Sequence, residues 1–254
     1  MTFVTTADDV STADSILVLP AVSIGNVPQL SIDLFVNTLR LPRIGIIDTA
    51  HLIPLSGPAG FDHQTSTRSV PLEVYQTPDR KWTILQQRSP PLPHHHRAFA
   101  QELIEFIKQG RFAKVVLLAS SDAALRTDKL IDGPQIRTIS VGEDELAARF
   151  RALSLTDLHE AGSGEDSQGA LKGALAHLHS AGVTKHLARM CLDANVPLTV
   201  CVSLVNEGDN VPDAVLMANA VNSALGLMTE DTAQWQPPRS WEWLMPNNTP
   251  SEMF

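Results

Sequence analysis

Tyrosine is almost missing from this 254-residue chain: Tyr75 is the only one, and aromatic residues together make up 5%. Aliphatic side chains must therefore supply most of the apolar area that drives collapse, at roughly 25 cal/mol per Å² buried. Cysteine is as scarce. Cys191 and Cys201 have no second pair with which to build a zinc ribbon, so the expectation is two small core residues in a reducing compartment, cytoplasm or nucleus. No run of about 18 apolar residues occurs, so no membrane-spanning helix is expected. Met1 to Asp14 is polar and lacks a basic stretch followed by an apolar one, so a secretory leader is not expected either. Positive charge is also in deficit. With 19 Lys and Arg against 28 Asp and Glu the formal net charge is −9, and the basic residues stand singly. That balance repels phosphate backbones and argues against nucleic acid as a partner.

What remains is an ordinary globular composition, 43% hydrophobic and 19% charged, long enough to bury a sizeable core. Ile16 to Pro20 is a short apolar run of the kind covered on both faces of a sheet. A helix follows, with Asn26 placed to cap it, Pro28 in its first turn, and Val27, Leu30, Leu34, Phe35 and Thr38 at helical spacing. Ile44 to Asp48 then reads as a second buried strand, completing the opening of a βαβ unit. His51 to Ser69 reads as an exposed loop. Leu72–Gln76 and Trp82–Gln86 flank a Thr77-Pro78-Asp79-Arg80 turn and predict a hairpin. Phe99, Leu103, Phe106 and Ile107 mark a helix that Gly110 can end. Val115 to Ala119 is the clearest central strand, and Gln135 to Val141 a weaker one. Glu143 to Leu153 suggests a helix, Ala161 to Gly169 a mobile loop, and Leu171 to His179 fits helix and strand equally badly. Leu198 to Val205 predicts another buried strand, followed by a helix that Asp209 or Asn210 can cap and that carries Pro212 and Asp213 in its first turn. The alternation implies one α/β domain over 1–234, a mainly parallel sheet with helices on both faces, and an irregular C-terminal tail over 235–254 held by Trp235, Trp241 and Trp243.

Candidate chemistry is thin. His94, His95 and His96 are consecutive, and neighbouring positions point apart, so they read as a solvated loop before a helix rather than a metal site. Ser120, Ser121 and Asp122 lie just past the strongest central strand, where open α/β sheets hold ligands. No Gly-x-Ser-x-Gly elbow surrounds them, so turn capping is the favoured reading. Gly162-Ser163-Gly164-Glu165 and Ala181-Gly182-Val183-Thr184-Lys185 lack what a phosphate loop requires. Glu207, Asp209 and Asp213 could be imagined as a metal cluster, but helix capping accounts for Asp209 and Asp213 without an ion and is the favoured reading. No catalytic residue, metal or cofactor is expected. The alternative is an α/β enzyme of the phosphorylase or hydrolase type using Ser120, Ser121 or Asp48 near the carboxyl ends of strands.

Two blocks point elsewhere. Leu19-Pro20-Ala21-Val22-Ser23-Ile24-Gly25-Asn26-Val27-Pro28-Gln29-Leu30 and Ser203-Leu204-Val205-Asn206-Glu207-Gly208-Asp209-Asn210-Val211-Pro212-Asp213-Ala214 resemble, in order, the opening motif and the segment before the last long helix of the proteasome assembly chaperone 2 family. Weaker similarity lies at Arg43 to Pro54, at Ala181 to Lys185, and at Pro238-Arg239-Ser240-Trp241; Ala124 to Ser180 shows little. The resemblance implies a nucleoside-phosphorylase-like domain that assembles rather than catalyses. It implies pairing with proteasome assembly chaperone 1, a seat on the outer face of the 20S α-ring, and a block on early docking of the regulatory particle. It further implies that the last residues enter a pocket between α subunits. Here those are Met253 and Phe254, with Met253 where the family carries tyrosine and Glu252 where it carries a hydrophobic residue. A terminal carboxylate held in such a pocket is a known mode of end capture.

Overall fold

A computed structural model of the chain describes residues 1–6, 10–64, 67–125, 135–142, 145–153, 167–228 and 234–243. Among them are eight strands in one sheet, ordered β1-β3-β4-β5-β2-β6-β8-β7. The core of that sheet is β2 (Ile16–Pro20), β6 (Lys114–Asp122) and β8 (Leu198–Val205), with β5 (Trp82–Gln87) on the other side of β2; these four run parallel. β3 (Arg43–Asp48) shares their direction, whereas β1 (Thr2–Thr5), β4 (Leu72–Gln76) and β7 (Ile136–Val141) run against it. The fold is a single α/β domain with a mixed, mostly one-directional sheet.

Side chains alternate across the central strands and so build two cores. Leu17, Leu19, Val115, Leu117, Val200 and Val202 face α2 (His96–Gly110), α4 (Ser167–Ala176) and α5 (Thr184–Asp193), supplied by residues such as Phe99, Leu171 and Leu187. Val18, Val116, Leu118 and Cys201 face α1 (Val27–Thr38), α3 (Glu145–Ala152) and α6 (Val211–Leu225), where Phe35, Phe150 and Met217 pack. Every residue of β8 is buried, which is why apolar side chains fill six of its eight positions instead of alternating with charged ones.

Several sequence expectations need correction. β2, α1 and β3 are the predicted strand, helix and strand, yet the β4–β5 hairpin lies between β2 and β3, so the crossover spans two strands. Asn26 precedes α1 without a side-chain cap: it adopts φ 54, and its Oδ1 accepts a bond from Gln29 Nε2 at 3.2 Å. Gly110 stays helical while Arg111 takes the left-handed position at φ 51. Its missing side chain serves packing instead, because a Cβ there would lie 2.3 Å from the Phe112 ring. Ser167–Gly169, read as loop, open α4; the rest of that loop, 161–166, and residues 143–144 of the preceding predicted helix lie outside the described residues. β1 and α5 have no counterpart in the sequence reading. Asp209 Oδ1 does take the Val211 amide at 3.1 Å, as a capping residue should, whereas Asn210 turns its Nδ2 to the Gly208 carbonyl.

Candidate functional site

At the carboxyl ends of β2, β6 and β8 four segments distant in sequence close on one another. The Ser120 hydroxyl meets Ser23 Oγ at 2.8 Å and donates to the Ile24 carbonyl at 2.5 Å, while the Ser120 amide donates to Ser23 Oγ at 3.0 Å. Ser121 Oγ donates to the His179 carbonyl at 3.1 Å and accepts the His179 amide at 2.8 Å. Both serines are completely buried. Gly182, at φ +58, sits so close to β2 that a Cβ would lie 2.2 Å from the Val22 carbonyl oxygen. Gly25, at φ +70, makes room for the Asn210 carboxamide, which would be 2.6 Å from an added Cβ. Ser31 Oγ, on α1, reaches the Ala214 carbonyl of α6 at 3.0 Å. The two resembling blocks thus meet at one knot, with Gly25 of the first against Asn210 of the second.

This geometry answers the enzymatic alternative. A nucleophilic serine needs a reachable hydroxyl and a base to activate it, whereas both hydroxyls here bond to backbone and staple turns to the end of β6. Asp48 ends β3, exposed and four strand positions from β6, about 19 Å at ordinary strand spacing. It and the serines cannot share a site.

Beside the knot, at the end of β5, lies a polar cleft of about 270 Å³ walled by Asn26, Gln29, Asp33, Gln86, Arg88 and Trp241. Beneath it runs a buried chain of alternating charge. Asp33 Oδ1 accepts from Gln86 Nε2 at 2.6 Å and lies 3.5 Å from Arg88 Nη1, and its Oδ2 accepts from the Trp241 indole at 3.2 Å. Arg88 Nε bonds Glu73 Oε2 at 2.9 Å, and Glu73 Oε1 takes Arg43 Nη1 at 2.9 Å. The Arg88 guanidinium rests on the Phe61 ring, 4.9 Å from its centre. Burial pushes the Asp33 carboxyl above its ordinary range, opposed in part by Arg88, Trp241 and Gln86. Two acids and two guanidiniums leave no net formal charge, the condition under which ions tolerate a dry interior. The sequence reading singled out none of Asp33, Glu73, Gln86 or Arg88. The one available signal is Asp33 itself, a charge set within the otherwise apolar run of α1.

The C-terminal segment is tied to this cluster. Trp235 stacks edge-on against Phe35 with ring centres 5.2 Å apart, and its indole donates to Asn219 at 2.7 Å. Gln236 is held at both ends: its amide donates to Thr38 Oγ1 at 2.9 Å, and its carbonyl accepts from Asn37 Nδ2 at 2.9 Å. The Arg239 amide reaches Asp62 Oδ1 at 3.1 Å, and a 3-10 turn, Arg239–Trp243, delivers Trp241 to Asp33. Trp235 and Trp241 anchor the segment as expected. The side chain of Trp243, and Met253 and Phe254 entirely, lie outside the described residues.

On the far side of α6 an apolar groove of about 280 Å³ runs between Ile136, Leu153, Leu216 and Ala220. Leu216 is 42% and Leu153 39% exposed there.

The remaining candidates disperse. His95 Nδ1 lies 2.9 Å from His51 Nδ1, and His51 Nε2 lies 3.7 Å from Glu102, whereas His94 is exposed at φ 67 and His96 opens α2. Glu102 also takes the Met1 amine at 2.7 Å and Thr49 Oγ1 at 2.5 Å, tying β1 and the β3 end to α2. Among the described residues no three metal-type ligands gather. Asp213 accepts from Gln135 and Asp209 caps α6, so neither forms a cluster with Glu207. Cys191 and Cys201 are free and buried, and burial pushes both thiols up to about 12.

Comparison with known proteins places this architecture. Proteasome assembly chaperone 2 of Danio rerio is 34% identical over 249 residues, covering 94% of each chain. The protein of the same name from Nematostella vectensis is 35% identical over 240 residues, covering 91% of this chain and 98% of that one. Among solved structures, Pyrococcus furiosus PbaA, an archaeal homolog of proteasome-assembly chaperone, superposes with a TM-score of 0.62 at 18% identity, over 91% of this chain and 90% of the other. The PAC2 family model matches residues 17–233, from within β2 to just before the anchored C-terminal segment. The chain belongs to the PAC2 family.

Proposed function

We propose that this chain is a proteasome assembly chaperone that acts by binding alone. The observation that carries the reading is an end-to-end relation, at 34 to 35% identity, to proteins named for that role. The geometry agrees with it, since the serines at the carboxyl ends of the central strands hold turns together. The chain pairs with the related proteasome assembly chaperone 1. The pair sits on the outer face of the 20S α-ring during core-particle assembly and delays docking of the regulatory particle. Met253 and Phe254 enter a pocket between α subunits, with the terminal carboxylate as their polar anchor. Because Met253 stands in place of tyrosine, the domain surface carries much of the affinity. The work is done in the cytoplasm and nucleus and uses no cofactor.

The test is affinity capture of the tagged chain from its own cells, followed by mass spectrometry. Recovery of free or half-assembled 20S α subunits with a second PAC2-related chain supports the reading. Recovery of neither sinks it.

A further inference from the structure

Buried polar atoms cost free energy unless they are hydrogen-bonded, and a folded chain leaves few without a partner. Four such atoms belong to residues that wall the polar cleft at the end of β5: Oε1 of Gln29, Gln86 and Gln87, and Nη2 of Arg88. The glutamines cannot meet the need by turning their amides over. Gln29 Nε2 is committed to Asn26 Oδ1 at 3.2 Å, Gln86 Nε2 to the Gln29 carbonyl at 2.9 Å and Asp33 Oδ1 at 2.6 Å, and Gln87 Nε2 to the Ser89 carbonyl at 2.9 Å. A flip would set two oxygens against each other in every case. Arg88 is held as firmly, by Glu73 at Nε and Asp33 at Nη1, with Nη2 left over. Gln86 and Gln87 are 0% and 1% exposed, so bulk water does not supply the missing donors.

We propose that this cleft binds a primary carboxamide, the group carried by free glutamine and asparagine and by their side chains in a partner protein. The unmet set is three acceptors and one donor. A carboxamide brings two N–H donors and a carbonyl acceptor on one planar head. Charge points the same way. Asp33, Glu73, Arg43 and Arg88 already cancel, so a charged guest would leave an uncompensated ion in the cluster, whereas a neutral one would not. The cleft volume of about 270 Å³ is far above the about 15 Å³ that one water needs, and just short of the about 300 Å³ at which pockets for drug-sized ligands begin. Its scale is that of one amino acid. Leu30 and Trp241 add apolar wall against which the methylene stem of such a guest can lie. Entry moves the half-buried Gln29 side chain, whose one bond is to exposed Asn26 and is long at 3.2 Å.

The experiment titrates the full chain with acetamide and follows the Trp241 indole N–H by two-dimensional NMR, its signal assigned through Trp241→Phe. The expected result is a saturable shift with a Kd on the order of millimolar, while the indole of Trp82, at the other end of β5, stays still. Acetate, which has no donor, and methylammonium, a cation with no acceptor, are expected to give no saturable shift. Gln29→Leu, at a half-buried position, is expected to weaken acetamide about threefold to tenfold, and Gln87→Leu supplies the same reading should that variant fail to fold. Two further arms separate the sources: free glutamine, and a glutamine residue inside a tripeptide capped by acetyl and methylamide groups. Tighter binding of free glutamine assigns the site to a small molecule, and tighter binding of the peptide assigns it to a partner's side chain. Absence of a saturable shift with every carboxamide, an equal response to acetate or methylammonium, or binding unchanged in both leucine variants overturns the proposal and leaves the four atoms to water alone.

Discussion

Replacing Gly182 by alanine should cost the domain several kcal/mol without touching any proposed partner surface. The residue adopts φ +58, a left-handed conformation that costs an L side chain about 1–2 kcal/mol. The new methyl would also stand 2.2 Å from the Val22 carbonyl oxygen and 3.2 Å from its carbon. Neither backbone can give way cheaply. The Ala21 amide is committed to the Leu118 carbonyl at 2.8 Å, the Ile24 amide to the Ser180 carbonyl at 3.1 Å, and Thr184 Oγ1 to the Ala181 carbonyl at 2.6 Å. Overpacking of this kind costs about 1–3 kcal/mol, giving a total of about 2–5 kcal/mol. Urea unfolding followed by circular dichroism measures it, with a midpoint expected to fall at unchanged slope. Gly173 is the control, because it lies exposed in α4 with open space where its Cβ would go. Gly173→Ala should stabilise by about 0.5–1 kcal/mol. A loss below about 1 kcal/mol in Gly182→Ala, or equal effects at the two glycines, would refute the close approach at the knot.

Ser120→Ala, which strands the Ile24 carbonyl, should cost about 1–3 kcal/mol in thermal or urea unfolding and leave partner capture unchanged. Cys191 and Cys201, with thiols pushed up to about 12, should resist alkylation in the native protein at pH 8 and react together once it is unfolded. Glu102 is partly buried, which acts to raise its pKa, yet bonds from the Met1 amine and Thr49 hold it below its ordinary 4.5. A depressed carboxylate contributes stability above its unfolded pKa and loses it as pH falls through the folded one. Glu102→Gln should therefore lower stability at neutral pH, and its gap to wild type should close on acidification below about pH 4.5, read from unfolding free energies across pH.

What the sequence made legible were features written in local pattern. Six of the eight residues of β8 are apolar and Val115 to Ala119 fills the middle of β6, while the Thr77 to Arg80 turn places β4 against β5 in the predicted hairpin. Sheet order was another matter. Periodicity identifies β2, α1 and β3 one after another, but it says nothing of the β4–β5 hairpin that separates those strands, because that choice is made by contacts across the sheet. The edge strand β1 hides in a polar N-terminus, where Phe3 packs on Phe106 and Val4 stays exposed. α5 was legible in principle, since Thr184, Leu187, Ala188 and Cys191 recur at helical spacing and are the residues it buries.

The site divides in the same way. Turn chemistry already argued that Ser120 and Ser121 close turns, and their bonds to Ile24 and His179 agree. The anchoring of Trp235 and Trp241 could be read from their size and setting. Asp33 could not be placed, because an acid on a helix looks like a solvent-facing charge until its partners are known. Those partners, Gln86 and Trp241, stand 53 and 208 residues away in the chain.

The most direct test of the central claim is capture of the full-length chain on isolated 20S α subunits together with proteasome assembly chaperone 1, beside a shortened chain ending at Pro250. Binding by the full chain, weakened but not abolished in the shortened one, with the pair of chaperones intact in both, is the predicted result. Failure of the full chain to bind any α subunit, with or without the second chaperone, would contradict the account.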